Sequence, residues 1–181
     1  MYQLTAVVAV ENSWGIGCQG QLLARVSEDL KNFRELTAGK TVILGSKTLS
    51  TFPGGRPLKN RRNIVLSRRP NFAPEGAEVA RSTEEALSLL SEKEEAVVIG
   101  GETVYRQFLP YCTTVVVSKF NADFPFDASF PNLDDDPEWE ISEIGGERTA
   151  SETDSHPGMS WRIVVYRRKE AVSNQKEMPR K

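Results

Sequence analysis

Residues Gln3 to Val10 read QLTAVVAV, a short β-branched run that is apolar at nearly every position. A strand with one wet face alternates apolar and polar residues, so a run without alternation marks a strand covered on both faces. Similar runs recur at Thr41 to Gly45, Asn63 to Ser67, Ala77 to Ala80, Ala96 to Gly100, Thr113 to Phe120, Glu138 to Ile144 and Trp161 to Arg167, giving eight strand candidates. Helical segments lie between several of them, at Ser27 to Leu36, near Ser46 to Phe52, and at Thr83 to Leu90 and Thr103 to Leu109. The alternation predicts an α/β fold: an eight-stranded, mostly parallel sheet flanked by helices. Only the polar stretch GGERTASETDSHPGM separates the last two strands, so they are expected to pair as a C-terminal antiparallel hairpin, which makes the sheet mixed.

A chain of 181 residues suits one domain, expected over residues 1–169, with the unpatterned EAVSNQKEMPRK of residues 170–181 as a flexible tail. No apolar run approaches the roughly 18 residues that span a bilayer, and Met1 leads directly into a strand without a basic leader, so neither a membrane span nor export is expected. Cys18 and Cys112 lack the number and spacing of a disulfide framework or metal site, and free thiols point to the cytoplasm. A net charge of −2 argues against a general nucleic-acid binder. Yet residues 36–74 hold no Asp or Glu and carry Lys40, Lys47, Arg56, Lys59, Arg61, Arg62, Arg68 and Arg69. Such a local positive field suits a small anionic ligand, although a solvated basic face would read the same way.

The segment WGIGCQGQLL spells G-x-G-x-x-G across Gly15, Gly17 and Gly20. A dinucleotide fingerprint requires a helix to open at the last glycines and an acid at the end of the second strand. Here Gln21 to Val26 must be crossed before the first helix signal at Ser27, and the second strand ends in Gly45 and Ser46. Both conditions fail, and the glycines read instead as a mobile loop that approaches a ligand closely. Better anion sites lie at three other strand ends: Gly100 and Gly101 in AVVIGGETVY, Ser46 to Thr48 in LGSKT, and Ser67 to Arg69 in LSRR. Backbone N–H groups, hydroxyls and cations at three adjacent strand ends suit a long polyanionic cofactor laid across the sheet edge.

Helix starts carry chemical marks: Ser82 with Glu85 forms a capping-box pattern, and Ser27 is expected to cap a helix whose first turn holds Glu28 and Asp29. In SEDLKNFREL the apolar stripe is Leu30, Phe33 and Leu36, and Asp29 projects on or beside it. A carboxylate facing a core is costly without a partner, so Asp29 is either an acid awaiting an N–H-rich ligand or proton chemistry, or a first-turn residue that reaches solvent. Asp134 to Asp136 are consecutive and precede Pro137, which reads as a solvated loop, not a metal cluster. His156, the single histidine, lies in a polar loop and is not assigned a catalytic role.

The ordered blocks AVVAVENSWGIGCQGQL, SEDLKNFRELT, TVILGSKT, FPGGRPLKNRRNIVLSR, VVIGGETVYRQFLP and DFPFDASFP resemble the dihydrofolate reductase family, over about Leu4 to Arg167. The resemblance implies a cytoplasmic, monomeric, NADPH-dependent enzyme that reduces dihydrofolate by hydride transfer to pterin C6 with protonation at N5. It implies that Asp29 binds the amino-pyrimidine edge and assists protonation, that Leu30, Phe33, Phe52 and Leu58 pack on the substrate's rings, and that Arg61 grips its α-carboxylate. Thr5, Ala6 and Ile99 would line the pterin end, with Ser118 linked to the acid. Gly45, Ser46, Lys47, Thr48, Gly100, Gly101, Glu102, Thr103, Val104 and Tyr105 would hold the cofactor's pyrophosphate and nicotinamide ribose. Ser67 and Arg68 would face its adenosine 2′-phosphate, with Arg81 near the adenine, and Ile16 and Leu22 would shield the hydride path from a lid. The chain departs from the family pattern at Ala24, where a Trp is usual, at Ser27, where a Pro is usual, and at Ser46, where an Arg is usual. Two alternatives stand beside this reading: a pyrimidine reductase of riboflavin synthesis on a related fold, and an inert nucleotide-binding homologue.

Overall fold

The structure, a computed structural model, describes residues 2–170. Of the expected tail, residues 171–181 lie outside the described residues. In chain order the strands are β1 (Gln3–Val10), β2 (Gly15–Cys18), β3 (Gln21–Leu22), β4 (Thr41–Gly45), β5 (Arg62–Leu66), β6 (Glu78–Ala80), β7 (Glu95–Val98), β8 (Cys112–Phe120), β9 (Ala128–Ser129), β10 (Trp139–Ile144), β11 (Arg148–Thr149) and β12 (Ser160–Arg168). The helices are α1 (Ser27–Thr37), α2 (Ser46–Ser50), α3 (Thr83–Ser88) and α4 (Glu102–Phe108).

The main sheet runs β10-β12-β8-β1-β7-β4-β5-β6, with β11 added beside β10 on β12. Pairings from β8 through β6 are parallel, whereas β12 is antiparallel to both β8 and β10, as expected for a mixed sheet. The central strands have near-continuous apolar sequences because both faces are covered. Leu4, Ala6, Val8 and Val10 of β1 join a core with Phe108, Tyr105 and Ala86, on the side of α3 and α4. Val7 packs instead with Phe33, Leu36 and Leu49, on the side of α1 and α2. This alternation along one strand makes β1 the wall between two cores.

Three features depart from the sequence-based expectations. First, the G-x-G-x-x-G segment is a hairpin: β2 pairs antiparallel with β3 and with β9 in a separate three-stranded sheet. Gln19 and Gly20 both have positive φ, 50° and 75°, which is the two-residue turn that matches the twist of hairpin strands. Gly15 is needed for another reason, since a Cβ there would lie 2.3 Å from the Phe126 ring. Second, the antiparallel partner of β12 is broken: the Gly145 N–H donates to the Ile163 carbonyl at 2.8 Å, and the chain resumes pairing as β11 within what reads as plain polar sequence. A Cβ on Gly145 would sit 2.9 Å from that carbonyl, so the close approach requires glycine. Third, Ser27 is the first helical residue, not the cap, and Val26 precedes it in extended conformation without a side-chain bond. The missing cap is supplied from 127 residues away, where Asp154 Oδ1 accepts from the Ser27 N–H at 3.0 Å and its hydroxyl at 2.7 Å. Ser82 does cap α3, accepting from the Glu85 N–H at 3.0 Å.

Candidate active site

Asp29 lies in the first turn of α1, half-buried and within hydrogen-bond reach of Ser118 on β8. The Ser118 hydroxyl donates to its Oδ1, and Oδ2 has no donor among the described residues. Burial pushes the carboxyl above its usual range; the Ser118 bond and the positive charge of Arg148 pull it down without cancelling that rise. The acid is therefore held at the margin of an apolar cleft with one oxygen uncommitted. Half-buried Phe33 of α1, Phe52 and Leu58 belong to the same cluster as Val7, Ile99 and Val116 of the sheet, and Leu30 follows Asp29 directly. Leu58 is fixed through its backbone, because the buried Asn63 amide accepts from its N–H at 3.0 Å and donates to its carbonyl at 2.9 Å.

Arg61 marks the far end of α1. Its Nε donates to Thr37 Oγ1 at 3.0 Å, and its two terminal nitrogens donate to the carbonyls of Lys59 at 2.7 Å and Arg34 at 3.3 Å. A guanidinium carries about five N–H donors, so two remain for a ligand, in the fork geometry that matches a carboxylate. The surrounding basic stretch is less free than its sequence suggests. Lys40 pairs with Glu95 at 3.4 Å, and Arg62 with Glu78 at 2.6 Å and Glu94 at 2.7 Å. Lys47, Arg56, Lys59, Arg61, Arg68 and Arg69 have no carboxylate partner among the described residues.

The turns after β4 and β7 meet. The Gly45 N–H donates to the Gly100 carbonyl at 2.9 Å, and the Gly100–Gly101 peptide is cis. A Cβ on Gly45 would lie 3.2 Å from Val104, and one on Gly101 would lie 3.3 Å from Thr48 Oγ1, so the two turns are packed backbone to backbone. Glu102, Thr103, Val104 and Tyr105 form the first turns of α4, and the Tyr105 hydroxyl donates to the Val7 carbonyl at 2.6 Å, tying this region to the wall of the cleft. Ser46, Lys47 and Thr48 open α2 beside it. At the third strand end Arg81 directs its guanidinium into the loop, donating to the carbonyls of Ser67 at 3.1 Å, Arg69 and Pro70. It shapes the loop that presents Ser67 and the exposed Arg68.

Of the two expected pterin-lining positions on β1, Ala6 faces the opposite core, with Phe108, whereas Thr5 pairs with Val97 and so shares the face of Val7. Val7 itself lies on the cleft side, two places further along the strand than Thr5, and Ala9 pairs directly with Ser118, the residue bonded to Asp29. The register of β1 against β8 is the information that places them, and an unalternating apolar strand does not display it.

The hairpin at the expected lid is pinned to the segment before β9: the Asp127 N–H donates to the Gly17 carbonyl at 3.0 Å, and the Gln19 N–H donates to Asp127 at 2.9 Å. Ile16 packs against the core beneath, while Leu22 is exposed. Ala24 is buried with Val26, Phe120, Ala150, Met159 and Trp161, so an indole from β12 shares the space beside it. The Trp161 Nε1 is the one buried side-chain polar atom without a partner among the described residues. The His156 ring lies tilted against Phe124, 4.6 Å between centres, and its Nδ1 lies 2.9 Å from the Ser155 hydroxyl, in the loop that caps α1. Asp134 is exposed, as expected of a solvated loop, and accepts from Lys119 at 2.9 Å and the Tyr166 hydroxyl at 2.7 Å.

Comparison with known proteins matches residues 3–168 to the family model described as dihydrofolate reductase. The chain is 35% identical over 168 residues to a dihydrofolate reductase of Neisseria meningitidis serogroup A, covering 93% of this chain and 99% of that protein. It is 37% identical over 172 residues to one of Mycobacterium tuberculosis, with the same coverage of 93% and 99%. Among solved structures it resembles a dihydrofolate reductase from Enterococcus faecalis complexed with NADP(H) and RAB-propyl, with a TM-score of 0.82, 31% identity, and coverage of 93% of this chain and 97% of that one.

Proposed function

The chain belongs to the dihydrofolate reductase family, and from that premise we propose that Asp29 is the group that binds and helps to protonate its substrate, with Arg61 as the anchor at the other end of the cleft. The enzyme reduces dihydrofolate to tetrahydrofolate with NADPH. The observation that carries the residue assignment is the position of Asp29: a half-buried carboxyl with one oxygen fixed by Ser118, the other uncommitted, at the edge of an apolar cleft.

The cleft sorts a folate by chemistry. The amino-pyrimidine edge offers N–H donors to the carboxylate of Asp29, a charge-assisted pair strengthened by the low-dielectric surroundings. Phe33, Phe52 and Leu58 receive the rings, and the two unused donors of Arg61 receive the α-carboxylate, fixing the substrate at both ends. The meeting turns fit an extended dinucleotide: at Gly45 and Gly101 a side chain would crowd Val104 and Thr48, leaving bare backbone where phosphates must approach closely. Lys47, Thr48, Ser67 and Arg68 add the cation and hydroxyl chemistry for phosphate, the last two for a 2′-phosphate. NADPH, when bound, supplies the hydride for pterin C6. The chain's own part is orientation, exclusion of water, and proton supply toward N5 through a carboxyl whose proton affinity burial has raised.

The direct test follows absorbance at the NADPH band with purified protein. Loss that depends on added dihydrofolate, and is much slower with NADH, is the predicted result. Equal rates with NADH would remove Ser67 and Arg68 from the assignment, and no loss would remove the reading of the cleft.

A further inference from the structure

The first turn of α1, which carries Asp29, is met by a positive charge from outside its own helix, the Arg148 guanidinium on Glu28. β11 exists because the chain breaks at Gly145 and Gly146 and returns to pair Arg148 with Trp161 and Thr149 with Ser160. That return carries the Arg148 side chain over the Trp161 ring, 5.2 Å from its centre, and into an ion pair with Glu28 at 2.7 Å. Glu28 is the neighbour of Asp29 in the first turn of α1. Trp161 is itself fully buried in the cluster with Val26, the residue that precedes α1. The guanidinium is thus seated on a rigid floor and clamped at the helix start from which Asp29 projects.

We propose that Arg148 is a positioning residue for the reduction: clamped by Glu28 and supported by Trp161, its fixed positive charge governs how readily Asp29 takes up the proton it delivers. The proposal rests on the assignment of Asp29 as the acid. The charged and titratable groups around the acid leave Arg148 this role. On α1 itself, Glu28 is bound to Arg148, and Lys31 points to Glu35 at 4.0 Å. β8 contributes only the neutral Ser118, because Lys119 turns to the other face toward Asp134. On β12, Arg162 is in register with Lys119 and so shares that other face, where it pairs with Glu147 at 3.7 Å. In the loop before β12, Asp154 is occupied by the Ser27 N–H and hydroxyl, and His156 by Ser155 and Phe124. Arg61 stands at the opposite end of α1. Consistent with this arrangement, the charge of Arg148 lowers the proton affinity of the Asp29 carboxyl, opposing burial. Its side chain is 39% exposed, so the effect is screened in part by solvent and salt.

The test compares wild type, Arg148→Gln and Arg148→Lys by two readouts: carbon-13 titration of the Asp29 carboxyl in the free enzyme, and the pH profile of hydride transfer in a single turnover. With Gln, both midpoints are expected to move to higher pH, so that turnover persists at a pH where wild type has declined. Lys should restore the wild-type midpoints. Raising salt should move the wild-type carboxyl midpoint upward and leave the Gln variant nearly unchanged, which gives a reading from the unaltered chain should a substitution disturb folding. Unmoved carboxyl midpoints in the Gln variant and in salt would overturn the proposal. So would a moved carboxyl midpoint with an unmoved hydride-transfer profile, or a change confined to KM. Failure of the underlying assignment is distinct: it would show as full turnover after loss of the Asp29 carboxyl, whatever Arg148 does.

Discussion

The Ser118 hydroxyl donates to Oδ1 of Asp29 across 89 residues of sequence, joining the first turn of α1 to the eighth strand. Neither residue is a catalyst alone in this account: the strand orients the acid, and the acid gives the buried hydroxyl its acceptor. A hydrogen bond to a charged group is worth about 1.5–3 kcal/mol, enough to hold one carboxylate rotamer.

Ser118→Ala should therefore raise the proton affinity of Asp29 further, because the lost bond favoured the charged form. Carbon-13 titration of the carboxyl would show a midpoint at higher pH than in wild type. A midpoint unchanged or lower would mean that the hydroxyl does not serve the carboxylate.

The same burial carries a cost in stability. The folded-state pKa of Asp29 is raised, so the folded protein binds more protons than the unfolded chain between the two values, and stability falls as pH rises through that window. Above it the penalty is complete. Asp29→Asn removes the titration and keeps a neutral acceptor for Ser118. Its melting temperature should exceed that of wild type at neutral pH, with the difference shrinking as pH falls toward the unfolded carboxyl's range. Thermal unfolding at a series of pH values checks the sign.

How far the sequence discloses all this depends on the kind of interaction. The central strands β1, β4, β5, β7 and β8 are legible because doubly covered parallel strands are continuous apolar runs, and Asp29 is legible because a helix period shows which side of α1 it shares with Phe33. β2, β3, β9 and β11 are two to four residues long and are made by turn geometry and distant backbone pairing, which leave no periodic trace. Val7 is hidden for the opposite reason. Along an unbroken apolar run, Thr5, Val7 and Ala9 look equivalent, and only the pairing of Ala9 with Ser118 shows how far along the strand the cleft lies. The cap on α1 is illegible because Asp154 comes from the far end of the chain.

Arg61→Lys should separate binding from chemistry. Lysine keeps a charge and loses the planar fork, along with the geometry that spans Thr37, Lys59 and Arg34. Losing one charge-assisted bond of about 1.5–3 kcal/mol predicts a KM for dihydrofolate raised roughly tenfold to hundredfold with little change in kcat. A fall in kcat with unchanged KM in steady-state kinetics would contradict the anchoring role.

Gly45→Ala tests the cofactor turns. Its φ of −86° is ordinary for alanine, but the added methyl would lie 3.2 Å from Val104, which must give way. The fold should survive while the backbone opposite Gly100 shifts. Fluorescence titration should show weakened NADPH binding with dihydrofolate binding retained. Equal loss of both ligands would point to general damage.

The most direct measurement is turnover of Asp29→Asn beside its affinity for NADPH. Removing a general acid–base group predicts a fall in hydride-transfer rate of roughly a hundredfold or more, while NADPH binding stays at the wild-type level because the meeting turns of Gly45 and Gly100 are untouched. Wild-type turnover in this variant would contradict the account at its centre.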